Sequence, residues 1–148
     1  MKNLFILLVV ISISCYCATT GTQEDSLYGQ SRIINAGYDR IIKATVDYLS
    51  ERGYNVKKVN MEKGDIETDY QPGVGFGTGF TGDKRAKVKA KVTRIDDGQS
   101  KLVLELFSEE RDPQRGWQFV TPDYNTARTV YDRFFEAITA RAQGQKIE

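Results

Sequence analysis

The sequence predicts a two-layer α+β domain: an antiparallel sheet of four to five strands with two helices packed on one face, in the order α-β-β-β-β-α. Two segments with helical periodicity lie at the ends of the body, and the segments between them alternate apolar and charged residues with a period of two. Each strand then has one apolar and one charged face. We therefore expect the helices to cover the apolar face and the other face to meet water.

The first helical segment is predicted to begin at Ser31 as N-cap and to end before Gly53, placed as the glycine that follows the last turn. Its apolar residues recur at three-and-four spacing: Ile34, Tyr38, Ile41, Ile42, Val46 and Leu49. The last helical segment has Asp123 or Asn125 as N-cap and Gly144 as terminator. Its stripe is formed by Val130, Tyr131, Phe134, Phe135 and Ile138.

Strand signals fill the interval between the two helices. Residues 54–61 and 66–70 favour strands, and residues 83–95 give the cleanest alternation in the chain. The turn Asp96-Asp97-Gly98 predicts a hairpin into a strand over residues 101–107. A long loop is expected next, then a short strand at residues 117–120.

Composition limits the chemistry of the chain. Its 148 residues suit one domain, and the formal charge of +1 gives no reason to expect a nucleic-acid partner. There is no histidine, and both cysteines, Cys15 and Cys17, lie near the N-terminus. Histidine-based proton transfer and Ser-His or Cys-His pairs are therefore excluded, and neither a metal site nor a cofactor site is indicated. We expect a protein that is not an enzyme.

The N-terminus has the pattern of an export signal. A short positive region, Met1-Lys2-Asn3, precedes an apolar run of about ten residues, which is too short to span a bilayer. Ile13-Ser14-Cys15 resembles the end of a bacterial lipobox, which implies lipid attachment at Cys15, although Ser12 stands where the pattern has an aliphatic residue. The alternatives are ordinary cleavage near Ala18 or an uncleaved apolar anchor.

These features divide the chain into a signal peptide (1–14), a lipid-anchored tether (15–30) and a domain (31–144). Position 16 is Tyr rather than the Asp that retains some lipoproteins in the inner membrane. The expected location is therefore the outer membrane, facing the periplasm. Three acyl chains on one cysteine would exceed what stable anchoring requires.

A glycine-rich segment at 73–82 is the first candidate binding element. It contains five glycines and leads into a strand, whereas a phosphate-binding loop leads into a helix. The segment is therefore either a plain connection between strands or a loop that contacts a partner. In the second case Val74, Phe76 and Phe80 would be its exposed apolar contact points.

A basic stripe and an acidic segment are the other candidates. The stripe consists of Lys84, Arg85, Lys87, Lys89, Lys91 and Arg94. It is either a solvated sheet face, paired across strands with Glu67, Asp69 or Glu105, or a surface for an anionic polymer or lipid headgroups. Residues 109–112 favour a solvated loop, and Trp117 and Phe119 favour core or loop-lid positions.

A resemblance to a known family is carried by three short stretches: residues 38–49, Arg52-Gly53-Tyr54-Asn55-Val56, and residues 63–70. They resemble the helix-grip domains of envelope lipoproteins, of which BamC is the best-known type. The resemblance implies a non-enzymatic accessory or scaffold protein that contacts another envelope protein. The alternative is a binder of a small apolar ligand or lipid between helices and sheet, lined by Phe134 and Phe135.

Overall fold

The computed structural model describes residues 29–73 and 83–145. Within them, one antiparallel sheet has the strand order β1-β6-β5-β3-β2, with the short β4 on β5 and the short β7 on β6. The elements are β1 (Gln30–Ile34), α1 (Tyr38–Glu51), β2 (Val56–Asn60), β3 (Asp65–Thr68), β4 (Gln71–Pro72), β5 (Lys84–Arg94), β6 (Ser100–Asp112), β7 (Gly116–Phe119) and α2 (Tyr124–Ala142). Both helices share one core with one face of the sheet. The predicted two-layer α+β class is confirmed.

The start of the first helix was predicted wrongly. Residues 30–34 form strand β1, in which Ser31 pairs with Val103, so Ser31 is not an N-cap. The helix begins at Tyr38 after Gly37, which makes no side-chain capping bond. Ile34 is buried in the core. Its apolar side chain therefore fits the spacing of a helix and the alternation of a strand equally well. Pairing with the edge of β6 decides between them.

The number of strands also exceeds the prediction of four to five. The described residues form seven because β1, which precedes the first helix, and the two-residue β4 were not predicted. The short strand predicted at residues 117–120 is present as β7. Strand β6 continues to Asp112, where a loop was expected. Its last residues pair with Lys84 and Arg85 on one side and with β7 on the other.

The helix ends follow the sequence closely. Gly53 has φ +83° and donates its N–H to the Ser50 carbonyl, while the Tyr54 N–H bonds the Leu49 carbonyl. This pair of bonds is the Schellman motif, and Gly144 (φ +73°) ends α2 in the same way. Asp123 is the N-cap of α2, and its carboxylate accepts the Thr126 N–H at 3.0 Å.

The core is formed by the predicted alternating faces. On β5 and β6 the buried residues are Ala86, Val88, Ala90, Val92, Leu102, Leu104 and Leu106. The helices add Ile41, Ile42, Leu49, Tyr131, Phe134, Phe135 and Ile138. These residues form one cluster, so the opposite face of the sheet is the one that the helices leave uncovered.

Candidate functional site

The face of the sheet that points away from both helices is the candidate site, and we call it the open face. Because side chains alternate along a strand, the partners of outward residues in the register are also outward. The open face carries Ile33, Lys58, Asp65, Glu67, Arg85, Lys87, Lys89, Lys91, Lys101, Val103, Glu105, Phe107, Glu109, Arg111, Trp117 and Phe119.

The middle of the open face is a set of ion pairs between neighbouring strands. Lys91 donates to the Asp65 carboxylate at 2.7 Å, and Lys89 lies 4.0 Å from Glu67. The hydrogen bond from Lys91 holds the pKa of Asp65 below its usual value. Pairing of the basic stripe with Glu67 is therefore confirmed, whereas Asp69 pairs with Lys57 of β2 at 3.4 Å instead.

One end of the open face holds an aromatic cluster, which we define as Tyr70, Arg85, Phe107, Glu109, Trp117 and Phe119. The Arg85 guanidinium lies 4.5 Å from the centre of the Tyr70 ring and 4.2 Å from that of Trp117. Glu109 accepts from Arg85 Nε at 2.7 Å and from the Tyr70 hydroxyl at 2.8 Å. Burial, and then the bond to Glu109, raise the pKa of Tyr70 to about 12. The Tyr70 hydroxyl therefore stays protonated at physiological pH.

Beside this ion pair, two lysines lie against aromatic rings. The Lys87 ammonium is 5.0 Å from the Tyr70 ring centre and 5.2 Å from that of Phe107, and the Lys89 ammonium is 5.6 Å from Phe107. Phe107 and Phe119 meet edge-on at 6.2 Å. Two cations next to an exposed aromatic surface form an arrangement suited to an anionic, partly apolar partner.

A shallow groove of about 310 Å³ crosses the middle of the open face. It is lined by Lys58, Asp65, Ile66, Glu67, Lys89, Ala90, Lys91, Val103 and Glu105. At the neighbouring edge strand, Ile33 is 61% exposed. This part of the open face combines apolar points with charges of both signs.

The predicted site residues Cys15, Val74, Phe76 and Phe80 lie outside the described residues, so their roles stay predictions. The glycine-rich segment leaves the described chain at Gly73 and returns at Asp83. The Gly73 N–H donates to the Lys84 carbonyl at 2.8 Å, so the two ends of the segment lie side by side at the end of the sheet that bears the aromatic cluster.

Sequence reasoning missed the aromatic cluster. Residues 109–112 were expected to be a solvated loop but belong to β6, and Trp117 and Phe119 lie on the open face rather than in the core. The period of two continues past Phe107 through Glu109 and Arg111, and that continuation was the available signal. It was obscured by the run of charges and by Pro113.

The space between helices and sheet is occupied by side chains of the core. Phe134 is 5% exposed and meets the Tyr48 ring edge-on at 5.1 Å, and Phe135 is fully buried. Neither ring therefore lines an open cavity between helices and sheet. Within residues 29–73 and 83–145, no acidic or sulfur cluster is arranged to hold a metal ion, and neither helix is long and apolar enough to cross a membrane.

No protein-family model and no curated protein matches this chain. Solved structures match it at low identity. A TBP-like protein from Parabacteroides distasonis is 14% identical, with a TM-score of 0.46 over 80% of this chain and 93% of that one. A conserved protein from Geobacillus kaustophilus is 12% identical (TM-score 0.45; 78% and 94%), and Ara h 8.0201 is 14% identical (TM-score 0.43; 80% and 97%). These likenesses concern the fold, and none of them brings a function to this chain.

Proposed function

We propose that this chain is a lipid-anchored envelope protein with an accessory or scaffold role on the periplasmic side of the outer membrane. In this proposal Cys15 carries the lipid, and the folded domain contacts another envelope protein without doing chemistry of its own. The observation that best supports the proposal is the open face. One whole side of the sheet is built from lysines, carboxylates and aromatic rings and is not covered by either helix.

A binding role also agrees with the residues available to the domain. The chain has no histidine, and no cysteine after Cys17. The carboxylate of Glu109, which is among the less exposed acidic groups, is held by Arg85 and Tyr70 and is therefore committed to the architecture of the sheet. A catalytic carboxylate would instead need access to a substrate proton.

The anchor is tested by the variant Cys15→Ala. We expect wild-type chain to fractionate with membranes and its precursor to accumulate when the lipoprotein signal peptidase is inhibited by globomycin. Cys15→Ala should stay at precursor size with or without globomycin, because the peptidase cleaves only before a lipid-modified cysteine, while Cys17→Ala should behave like the wild type. If Cys15→Ala fractionates and is processed like the wild type, lipidation at Cys15 is refuted.

The partner contact is tested by a photo-crosslinking amino acid placed at Val103, which lines the groove of the open face. A matched probe at Ser50, exposed on α1, serves as the control. We expect a discrete protein adduct from position 103 and none from position 50. Deletion of residues 74–80 in the same cells tests whether the glycine-rich segment contributes to the partner contact. An unchanged adduct would show that the segment only connects two strands.

A further inference from the structure

We propose that the end of the open face that bears Trp117, Phe119 and Lys87 docks on anionic phospholipid headgroups of the membrane that holds the anchor. This inference deepens the proposed function and rests on it for the presence of an anchor. The groove around Val103 would remain available to a protein partner.

The first argument is the direction from which the chain enters the sheet. Along β1, Gln30 pairs with Leu104 and Ile34 with Ser100, so the strand begins at its end nearer to Phe107 and runs away from the aromatic cluster. A side chain at Gly29 would lie 3.4 Å from the Glu105 side chain. Five steps along β6, about 17 Å, lead from Leu104 to Glu109. The described chain therefore begins beside Glu105, and Phe107 of the aromatic cluster is two residues further along β6.

The second argument is the length of that tether. Thirteen residues lie between Cys15 and Gly29, and the fourteen steps from one to the other span at most about 50 Å. An anchor on Cys15 therefore keeps the whole domain near the lipid surface, with Gly29 within about 50 Å of it. A second, weak contact becomes effective under such tethering because the local concentration of the surface is high.

The third argument is the chemistry of the surface. Trp117 is half-buried and Phe119 is 49% exposed, on a short strand at the margin of the sheet. Aromatic residues beside lysines are the combination that membrane interfaces favour, since the ring enters the headgroup layer while the ammonium meets phosphate. Lys87 and Lys89, above the Phe107 ring, are placed to supply those ammonium groups.

The charge of the open face agrees with an anionic partner. Its strand positions carry seven cationic residues and four acidic ones, although the whole chain is nearly neutral. The cationic residues are Lys58, Arg85, Lys87, Lys89, Lys91, Lys101 and Arg111, and the acidic residues are Asp65, Glu67, Glu105 and Glu109. This excess attracts a negatively charged surface over roughly a Debye length.

Trp117 is the only tryptophan in the chain, so its fluorescence reports on this end of the open face. The full-length protein purified from its membrane would be reconstituted into vesicles of phosphatidylcholine or of an equal mixture with phosphatidylglycerol, both containing lipids with brominated chains. We expect blue-shifted, quenched Trp117 emission in the mixed vesicles and solvent-like emission in the neutral ones. Added salt should reverse the difference, because it screens the attraction.

Lys87→Gln and Lys89→Gln would each weaken docking about fivefold, given about 1 kcal/mol for each basic residue near an anionic surface. Lys63→Gln, in the exposed turn at the opposite end of the sheet, is the matched control and should leave the emission unchanged. Equal Trp117 emission in both kinds of vesicle would overturn the proposal, as would a salt-independent shift. Flotation with neutral vesicles reports on the anchor alone, so failure of the anchor and failure of docking are separate results.

Discussion

The phenolic oxygen of Tyr131 accepts a hydrogen bond from the backbone N–H of Leu106 at 3.1 Å. Strand β1 covers the edge of β6 as far as Leu104, and β7 covers it from Glu109 onward. Leu106 lies in the gap between these two short strands. Helix α2 thus provides the acceptor that neither strand supplies, and it does so within the core.

We expect Tyr131→Phe to lower the free energy of unfolding by about 1–3 kcal/mol, because the buried N–H of Leu106 would lose its acceptor. Urea denaturation measures the change. Tyr124→Phe is the control: Tyr124 is half exposed at the start of α2, so its loss should stay within about 0.5 kcal/mol. Equal losses in the two variants would show that the Tyr131 hydroxyl does not contribute to the free energy of unfolding.

At the end of β3, a second side chain accepts a hydrogen bond from a backbone N–H of the sheet. The Thr68 hydroxyl accepts the Val88 N–H at 2.9 Å, and Thr68 is 2% exposed. Thr68→Val keeps the shape but removes the acceptor, so we expect a loss of about 1–3 kcal/mol. Thr68→Ser retains the acceptor. Amide hydrogen exchange at Val88 should be fast in Thr68→Val and slow in Thr68→Ser, and slow exchange in both would contradict this role.

The turn between β2 and β3 requires glycine for two reasons. Gly64 has φ +71°, and a Cβ there would lie 2.1 Å from the Val92 carbonyl oxygen. Gly53 has φ +83° but has open space around it. We therefore expect Gly53→Ala to cost about 1–2 kcal/mol from the backbone conformation alone, and Gly64→Ala at least about 3 kcal/mol. Chemical denaturation of the two variants compares them, and a Gly64→Ala loss no larger than that of Gly53→Ala would refute the close approach.

Acid should destabilise the N-terminus of α2, which Asp123 caps. Hydrogen bonds from Thr126 hold the pKa of Asp123 below its usual value, so the folded state favours the carboxylate. This contribution is fully present above the unfolded pKa of about 3.9 and is lost as pH falls through the lower pKa of the folded state. We expect Asp123→Ala to lower the Tm at pH 7 and to flatten its dependence on pH below 4. Asp123→Asn, which still caps, should keep most of the Tm at pH 7.

The hairpin of β5 and β6 could be predicted from the sequence because its alternation is local and its turn is explicit. Strand β1 could not, since the burial of Ile34 suits either period and only pairing with β6 distinguishes them. The basic stripe was visible in the sequence for the same local reason. The aromatic cluster was not, because Tyr70, Arg85 and Trp117 are distant in the chain and meet only through strand pairing.

The central claim, that the domain is held at the membrane by a lipid on Cys15, is tested most directly by the mass of the N-terminal peptide of the mature protein. The account predicts that this peptide begins at Cys15 and carries a diacylglyceryl group and an amide-linked acyl chain. An unmodified N-terminus near Ala18, or an intact Met1 with no lipid, would contradict it.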